Sequence, residues 1–331
     1  MNIINNEAIH LIENEYNLKI NAVKQLFTGA DRNSFLYRIE SGHISFFLKV
    51  RTGIFNESSV IVPHLLSRKI GKYIIEPLRT KDGLLFLVTA EFTAIIYPFI
   101  FGKSGFERKL SDEQWAELGG LLHDIHNFSL PDKINDIPQE KYNEIYIRKL
   151  KSYMKDIDKT AVNNKTEKQF MDMLVFRRKK INEIIIRAEE LLSKISGIKN
   201  KFCLCHGDIH AGNLFISENG EFYITDWDTM IMAPKERDLM FFGVGIGGVW
   251  NEAEEEKLFY KGYGIQEDIN HTLMAYYRYM RIIEDIAEFY EQILTEKDGN
   301  RKKEILRIVD DCFRPHNIAE MAELSWKNAM G

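Results

Sequence analysis

The chain has 331 residues, 45% hydrophobic and 28% charged, which is enough for two domains with separate cores and unlike a disordered or fibrous chain. A net charge of −5 speaks against nucleic acid as the main partner. Three cysteines make no disulfide framework, the N-terminus lacks a basic apolar leader, and the longest apolar run, Leu239 to Trp250, is too short for a bilayer; a cytoplasmic location is expected.

In chain order, residues 6–16 read as a short helix. Leu18–Phe27, Phe35–Glu40 and Ser45–Val50 are rich in β-branched and aromatic residues and predict an antiparallel meander. Glu57–Arg68 has a helical pattern, with Pro63 in its first turns or at a kink. Leu84–Thr89 and Thr93–Tyr97 predict two more strands. Tyr97 to Gly102 breaks the periodicity, and the chain then becomes mostly helical. Ser111 with Gln114 predicts a capping box for a helix reaching about His126. Further helical patterns cover 140–159 and 165–195, and the basic run Arg177-Arg178-Lys179-Lys180 inside the second reads as a solvated face. β-segments at 202–226 interrupt the helices, which return at 236–246, 252–262, 268–294 and 299–328. The expected class is α+β. Residues 1–98 would form a nucleotide-binding lobe of antiparallel sheet plus one helix. Residues 99–331 would form a larger, mainly helical lobe with a small β insert, after a hinge at about 97–102.

The chemistry concentrates in His206-Gly207-Asp208-Ile209-His210-Ala211-Gly212-Asn213 and, one turn later, Ile224-Thr225-Asp226-Trp227-Asp228. Asp208 can accept or orient the proton of an attacking hydroxyl. Asn213 and Asp226 offer the hard oxygens that suit Mg²⁺, which takes few protein ligands beside substrate phosphates. Such equipment suffices for phosphoryl transfer from ATP to an alcohol. Lys49 sits in an apolar strand, where a buried charge needs a partner. It can hold nucleotide phosphates, with Glu57 as its orienting partner. The loop Gly29 to Ser34 can cover the phosphates, with Ser34 as a hydroxyl contact. Backbone groups near Tyr97, Phe99 and Ile100 can read the adenine edge. Asp228 is assigned to a second metal, the substrate or a structural role. Glu284 and Asp285, on an aromatic-rich helix, can face a cationic substrate. Asp238 is expected to brace the catalytic loop or cap a helix. Cys203 and Cys205, at i and i+2 of one strand, share a face and read as core. His123 and His126 read as a satisfied pair on one helix.

These residues resemble the aminoglycoside phosphotransferase and choline kinase family, distant relatives of protein kinases. His206-Gly207-Asp208 with Asn213 is similar to that family's catalytic loop, and Ile224 to Asp228 to its metal-binding segment. Leu118 to His126 resembles the helix after its hinge. The resemblance implies a bilobal, protein-kinase-like fold that uses ATP and Mg²⁺; no obligate protein partner is evident in the sequence. Within the family, length and overall sequence are most similar to the members that phosphorylate spectinomycin, which implies a small cationic aminocyclitol as substrate. Kinases of choline, homoserine or methylthioribose are the alternative, and a non-catalytic nucleotide-binding module is the rival from another class.

Overall fold

The computed structural model describes residues 4–26, 33–131, 133–134, 136–264 and 269–330. In chain order its elements begin with α1 (Asn6–Tyr16), β1 (Ala22–Leu26), β2 (Ser34–Ser41), β3 (Ile44–Arg51), α2 (Ser58–Ile70), β4 (Leu87–Val88), β5 (Thr93–Pro98) and β6 (Gly102–Ser104). Next come α3 (Asp112–His126), α4 (Ile145–Asp156), α5 (Lys165–Phe176), α6 (Arg178–Ile195), β7 (Cys203–Cys205), β8 (Leu214–Ser217), β9 (Phe222–Ile224) and β10 (Ile231–Ala233). The chain ends with α7 (Glu236–Leu239), α8 (Ala253–Tyr263), α9 (His271–Thr295), α10 (Gly299–Asp311) and α11 (Ile318–Met330). The described residues fall into two compact units. The first comprises Met1–Arg108, Phe128–Ile137 and Gly212–Met230; the second comprises Lys109–Asn127, Pro138–Ala211 and Ile231–Gly331.

In the first unit, five antiparallel strands run in the order β1-β2-β3-β5-β4. Alternation on β2, β3 and β5 sends Tyr37, Ile39, Leu48, Val50, Ala94 and Ile96 into one core. Helix α1 contributes Ala8, Ile12 and Tyr16 to that core. It starts where the Asn5 side chain accepts from Ala8 N and ends at Asn17 in the left-handed region, and the Tyr16 hydroxyl donates to Ala94 O at 3.0 Å. Pro63 lies inside α2 without ending it. The strand β6, absent from the sequence reading, pairs with β8, and β8 pairs with β9. A Cβ on Gly102 would overlap the Ile216 carbonyl, so only glycine permits that approach.

The second unit is helical apart from the β7–β10 pair. Its centre is α9, which buries residues from Leu273 to Ile293. Arg278 of α9 is buried and donates to the carbonyls of Met240 and Phe242 and to Ser325 Oγ. Helices α3 and α8 meet through Gly119 and Gly262, where a Cβ would overlap the Phe259 and Ala116 carbonyls respectively. The predicted capping box on α3 is present. Two long helical patterns are each split. Residues 165–195 form α5 and α6, divided at Arg177, and 299–328 form α10 and α11. The basic run is not a bare solvated face: Arg177, Arg178 and Lys180 ion-pair with Asp310, Asp158 and Glu323. No helix among the described residues is long and apolar enough to cross a membrane.

Candidate active site

In the first unit, the pleat of β3 puts Phe46, Leu48 and Val50 in the core and leaves Lys49 and Arg51 together on the opposite face. Lys49 Nζ donates to Asp226 Oδ1 at 3.1 Å and to Asp228 Oδ2 at 2.6 Å, and Arg51 Nη1 also donates to Asp228 Oδ2. Burial works against the Lys49 ammonium, but the two carboxylates outweigh it and hold its pKa above lysine's ordinary value. The β8–β9 hairpin supplies the rest. Leu214 faces Ile224 in register, and Thr225 donates through both N (2.9 Å) and Oγ1 (3.1 Å) to Asn213 O. Asn213 and Asp226 therefore stand at the same end of one hairpin. Asp226 has φ +62, a left-handed conformation uncommon for a non-glycine residue and a frequent mark of functional backbone.

In the second unit, β7 leads into His206-Gly207-Asp208. The fully buried Asp238 accepts from His206 N at 2.8 Å, from Gly207 N at 2.7 Å and from His126 Nε2 at 3.0 Å. His126 Nδ1 in turn lies 2.8 Å from the Tyr263 hydroxyl. This is the bracing expected of Asp238. Gly207 adopts φ +85, which glycine meets without strain. The carboxylate of Asp208 then meets Arg281 Nη1 at 2.5 Å and His210 Nε2 at 3.5 Å. Burial raises the Asp208 carboxyl, but the Arg281 guanidinium, with His210, outweighs it and keeps the group far below the usual carboxylate range. Arg281 Nε also pairs with Asp285, at 3.0 Å, so one guanidinium serves two carboxylates.

Several expected residues sit differently. Glu57 does not orient Lys49: it is exposed at the start of α2, where its backbone carbonyl accepts from Val60 and Ile61, and Asp226 and Asp228 take the lysine. Asp228 is held between Lys49 and Arg51. Asp285 is occupied by Arg281. Glu284 does line a cavity of about 110 Å³, with Glu140, Arg237, Tyr276 and Tyr277, and burial pushes its carboxyl up. Ser34 faces Arg51 in register, and its hydroxyl is buried without a hydrogen-bond partner among the described residues. Tyr97 pairs with Phe47 across β5 and β3, and burial, then Asp228 and Asp226, raise its phenol. The Phe99 amide is already spent on Ser45 O at 3.2 Å, while Ile100 is half-buried. Residues 29–32 of the expected phosphate loop lie outside the described residues. Arg51 and Arg281 escaped the sequence reading. The available signals were Arg51 at i+2 from Lys49 on one strand face, and Arg281 four residues before Asp285 on a helix.

A model of the phosphotransferase enzyme family matches residues 85–276. The chain belongs to this family. Among solved structures, the phosphotransferase is similar to spectinomycin phosphotransferase APH(9)-Ia in complex with ADP and spectinomycin, at 34% identity and a TM-score of 0.89, covering 98% of this chain and 99% of that one. The AMP-bound complex of the same enzyme matches at 33% identity and 0.85, covering 96% and 97%. An aminoglycoside phosphotransferase from Alicyclobacillus acidocaldarius matches at 12% identity and 0.63, covering 100% of this chain and 96% of that one, which is a likeness of fold alone. No curated protein sequence matches. The α+β class and the phosphotransferase activity read from the sequence both stand.

Proposed function

We propose that this enzyme transfers the γ-phosphoryl group of ATP to a hydroxyl of spectinomycin or a closely related aminocyclitol, and so confers resistance to it. The observation that carries the substrate is the 34% identity, spread over nearly the whole of both chains, to an enzyme solved with ADP and spectinomycin. The choline kinase LicA from Streptococcus pneumoniae, at 14% identity, shares only the fold.

The residues fit the co-substrates. Asn213 and Asp226 are hard oxygen donors at one hairpin end, the donor set that suits Mg²⁺. Magnesium, when bound, neutralises charge on the phosphates during transfer. Lys49 and Arg51 give a cationic strand face for the nucleotide's phosphates, and both ion-pair with Asp228 beside Asp226. Asp208 orients the substrate hydroxyl by accepting its hydrogen bond. Because Arg281 holds Asp208 ionised and weakly basic, the proton moves late, as a loose transition state allows. Glu284 and Tyr276 in the α9 cavity offer an acid and a ring face to a cationic, sugar-like substrate. Along the chain, residues 1–98 serve as the nucleotide lobe and 99–331 as the catalytic lobe, although the first compact unit also takes in 99–108, 128–137 and 212–230.

The test is an ATP-consumption assay with Mg²⁺ over spectinomycin, other aminoglycosides, choline and amino-alcohols, with mass detection of product. Spectinomycin gaining one phosphate is the expected result. Spectinomycin left unmodified while choline is phosphorylated would replace this substrate and keep the phosphotransferase.

A further inference from the structure

The fold brings His126 beside two soft-metal ligands, Cys203 and Cys205, that lie far from it in the chain. Cys203 and Cys205 alternate with Leu204 on β7, so both thiols leave the same face of the strand. Their sulfurs are 3.8 Å apart. A tetrahedral zinc with Zn–S bonds of about 2.3 Å holds two sulfurs about 3.8 Å apart, so the strand already sets one edge of such a tetrahedron. A ring nitrogen of His126, from α3, lies within 4.8 Å of both sulfurs.

The tautomer of His126 is fixed from behind. Asp238 is a buried carboxylate that only accepts, so the Nε2 it meets at 3.0 Å carries the proton. In the neutral ring Nδ1 then holds the lone pair, which takes a hydrogen bond from the Tyr263 hydroxyl at 2.8 Å. A buried carboxylate that holds one nitrogen of a histidine fixes the ring's tautomer and orientation, as it does for imidazoles that bind metals, and this ring stands beside two thiols. The thiols themselves have only weak partners, the carbonyls of Ala233 (3.4 and 3.7 Å) and Pro234 (3.5 Å). Cys203 is partly exposed, which gives an approach from solvent, whereas Cys205 and His126 are buried.

We propose that Cys203, Cys205 and His126, through the Nδ1 lone pair that Asp238 leaves available, form a binding site for one soft divalent cation of the zinc and cadmium class, with the Tyr263 hydroxyl or a water completing the tetrahedron. Binding displaces the Tyr263 hydrogen bond from Nδ1 and releases the two thiol protons to solvent, so each sulfur enters as a thiolate. The site lies outside the proposed transfer chemistry. It stands at the foot of the loop carrying Asp208, because Asp238 ties His126 to the amides of His206 and Gly207.

Cobalt(II) is the spectroscopic probe, added to the full chain, reduced and metal-free. The site should bind one equivalent, with sulfur-to-cobalt charge transfer and the intense visible bands of tetrahedral cobalt, and one equivalent of zinc should bleach them. Cys203→Ser and Cys205→Ser should each remove the charge-transfer band, and Cys312→Ser should keep it. As a check that needs no variant, zinc should shield Cys203 and Cys205 of the unaltered protein from alkylation, mapped by peptide mass. Absence of a sulfur-to-cobalt band at one equivalent, a band that survives in the Cys203→Ser, Cys205→Ser double variant, or equal alkylation with and without zinc would overturn the site. None of these readouts depends on which alcohol the enzyme phosphorylates.

Discussion

Replacing Asp238 with alanine tests the idea that one buried carboxylate holds the loop carrying Asp208 in place. The substitution strips the acceptor from the amides of His206 and Gly207 and from His126 Nε2, all in a fully buried setting. Each buried donor left unpaired costs about 1–3 kcal/mol, and removal of one partner from a buried charged network costs about 3–5 kcal/mol in total. With an unfolding entropy of about 2.1 cal/mol/K per residue over the whole chain, that corresponds to a fall in Tm of about 4–7 °C. Differential scanning calorimetry reads it. Burial raises the Asp238 carboxyl, but His126, His206 and the Gly207 amide outweigh it, so its folded pKa lies below the ordinary value. Its stabilisation is therefore complete above the unfolded pKa of about 3.9 and fades as pH falls through the folded value. The gap in Tm between wild type and Asp238→Ala should hold steady from pH 8 down to about pH 5 and close only in stronger acid. Turnover should fall by about 100-fold or more, since a shift of about 1 Å at the reacting group is enough for that. A Tm within about 1 °C of wild type at pH 7, or a gap that widens on acidification, would refute the bracing role.

Asp208→Ala should keep nucleotide affinity, measured by calorimetry, and lose turnover by about 10²–10⁴-fold; near-wild-type turnover removes Asp208 from the reaction. Arg281→Gln takes the cation from Asp208 and Asp285 together. In wild type the depressed Asp208 stays ionised to well below neutral pH, so the variant's pH–rate profile should gain an acid limb displaced upward by about 1–3 pH units. Unchanged profiles would show that Arg281 does not set the state of Asp208. Arg51→Met should raise the KM for ATP by about tenfold with a smaller effect on kcat, as expected for loss of about 1.4 kcal/mol of ground-state binding; an unaltered KM separates Arg51 from the nucleotide. Gly119→Ala forces a Cβ into the Phe259 carbonyl and should lower stability by about 1–3 kcal/mol in a denaturant titration, where a neutral result would mean that α3 and α8 move apart freely.

Legibility in the sequence followed the range of the interactions involved. The first helix was legible to the residue, since Asn5 and Asn17 cap it locally, and so was the start of α3 at Ser111. The meander of β1 to β3 announced itself through β-branched and aromatic content. The strand β6 did not, because Gly102-Lys103-Ser104 has no strand signature and exists by pairing with β8. The break at Arg177 is set by contacts outside the helices: its guanidinium lies over Phe313 and pairs with Asp310, 133 residues away. The same reasoning covers the site. Asp208, Asn213 and Asp226 sit in contiguous motifs and were read directly. Arg281 acquires its meaning only from Asp208, 73 positions upstream, and Arg51 from Asp228, 177 positions downstream. Glu57 looked like the partner of Lys49 because it is near in sequence, yet the carboxylates that reach the lysine come from beyond residue 220.

The two units share one electrostatic device. In the first, Lys49 bridges Asp226 and Asp228; in the second, Arg281 bridges Asp208 and Asp285. Two carboxylates brought together without a cation tend to share a proton, which raises one pKa strongly. A proton-sharing acid is a poor metal ligand and a poor acceptor for a substrate hydroxyl. A bridging cation opposes that tendency at the cost of burying a third charge: Arg281 holds Asp208 low, while burial still pushes the Asp285 carboxyl up. Phosphoryl transfer needs one ionised carboxylate from each pair, since one must meet the metal ion and another must meet the alcohol at the same pH. The partnerships of Lys49 and Arg281 are therefore what a site of this chemistry calls for, and a packing role alone would be better served by apolar side chains of similar volume.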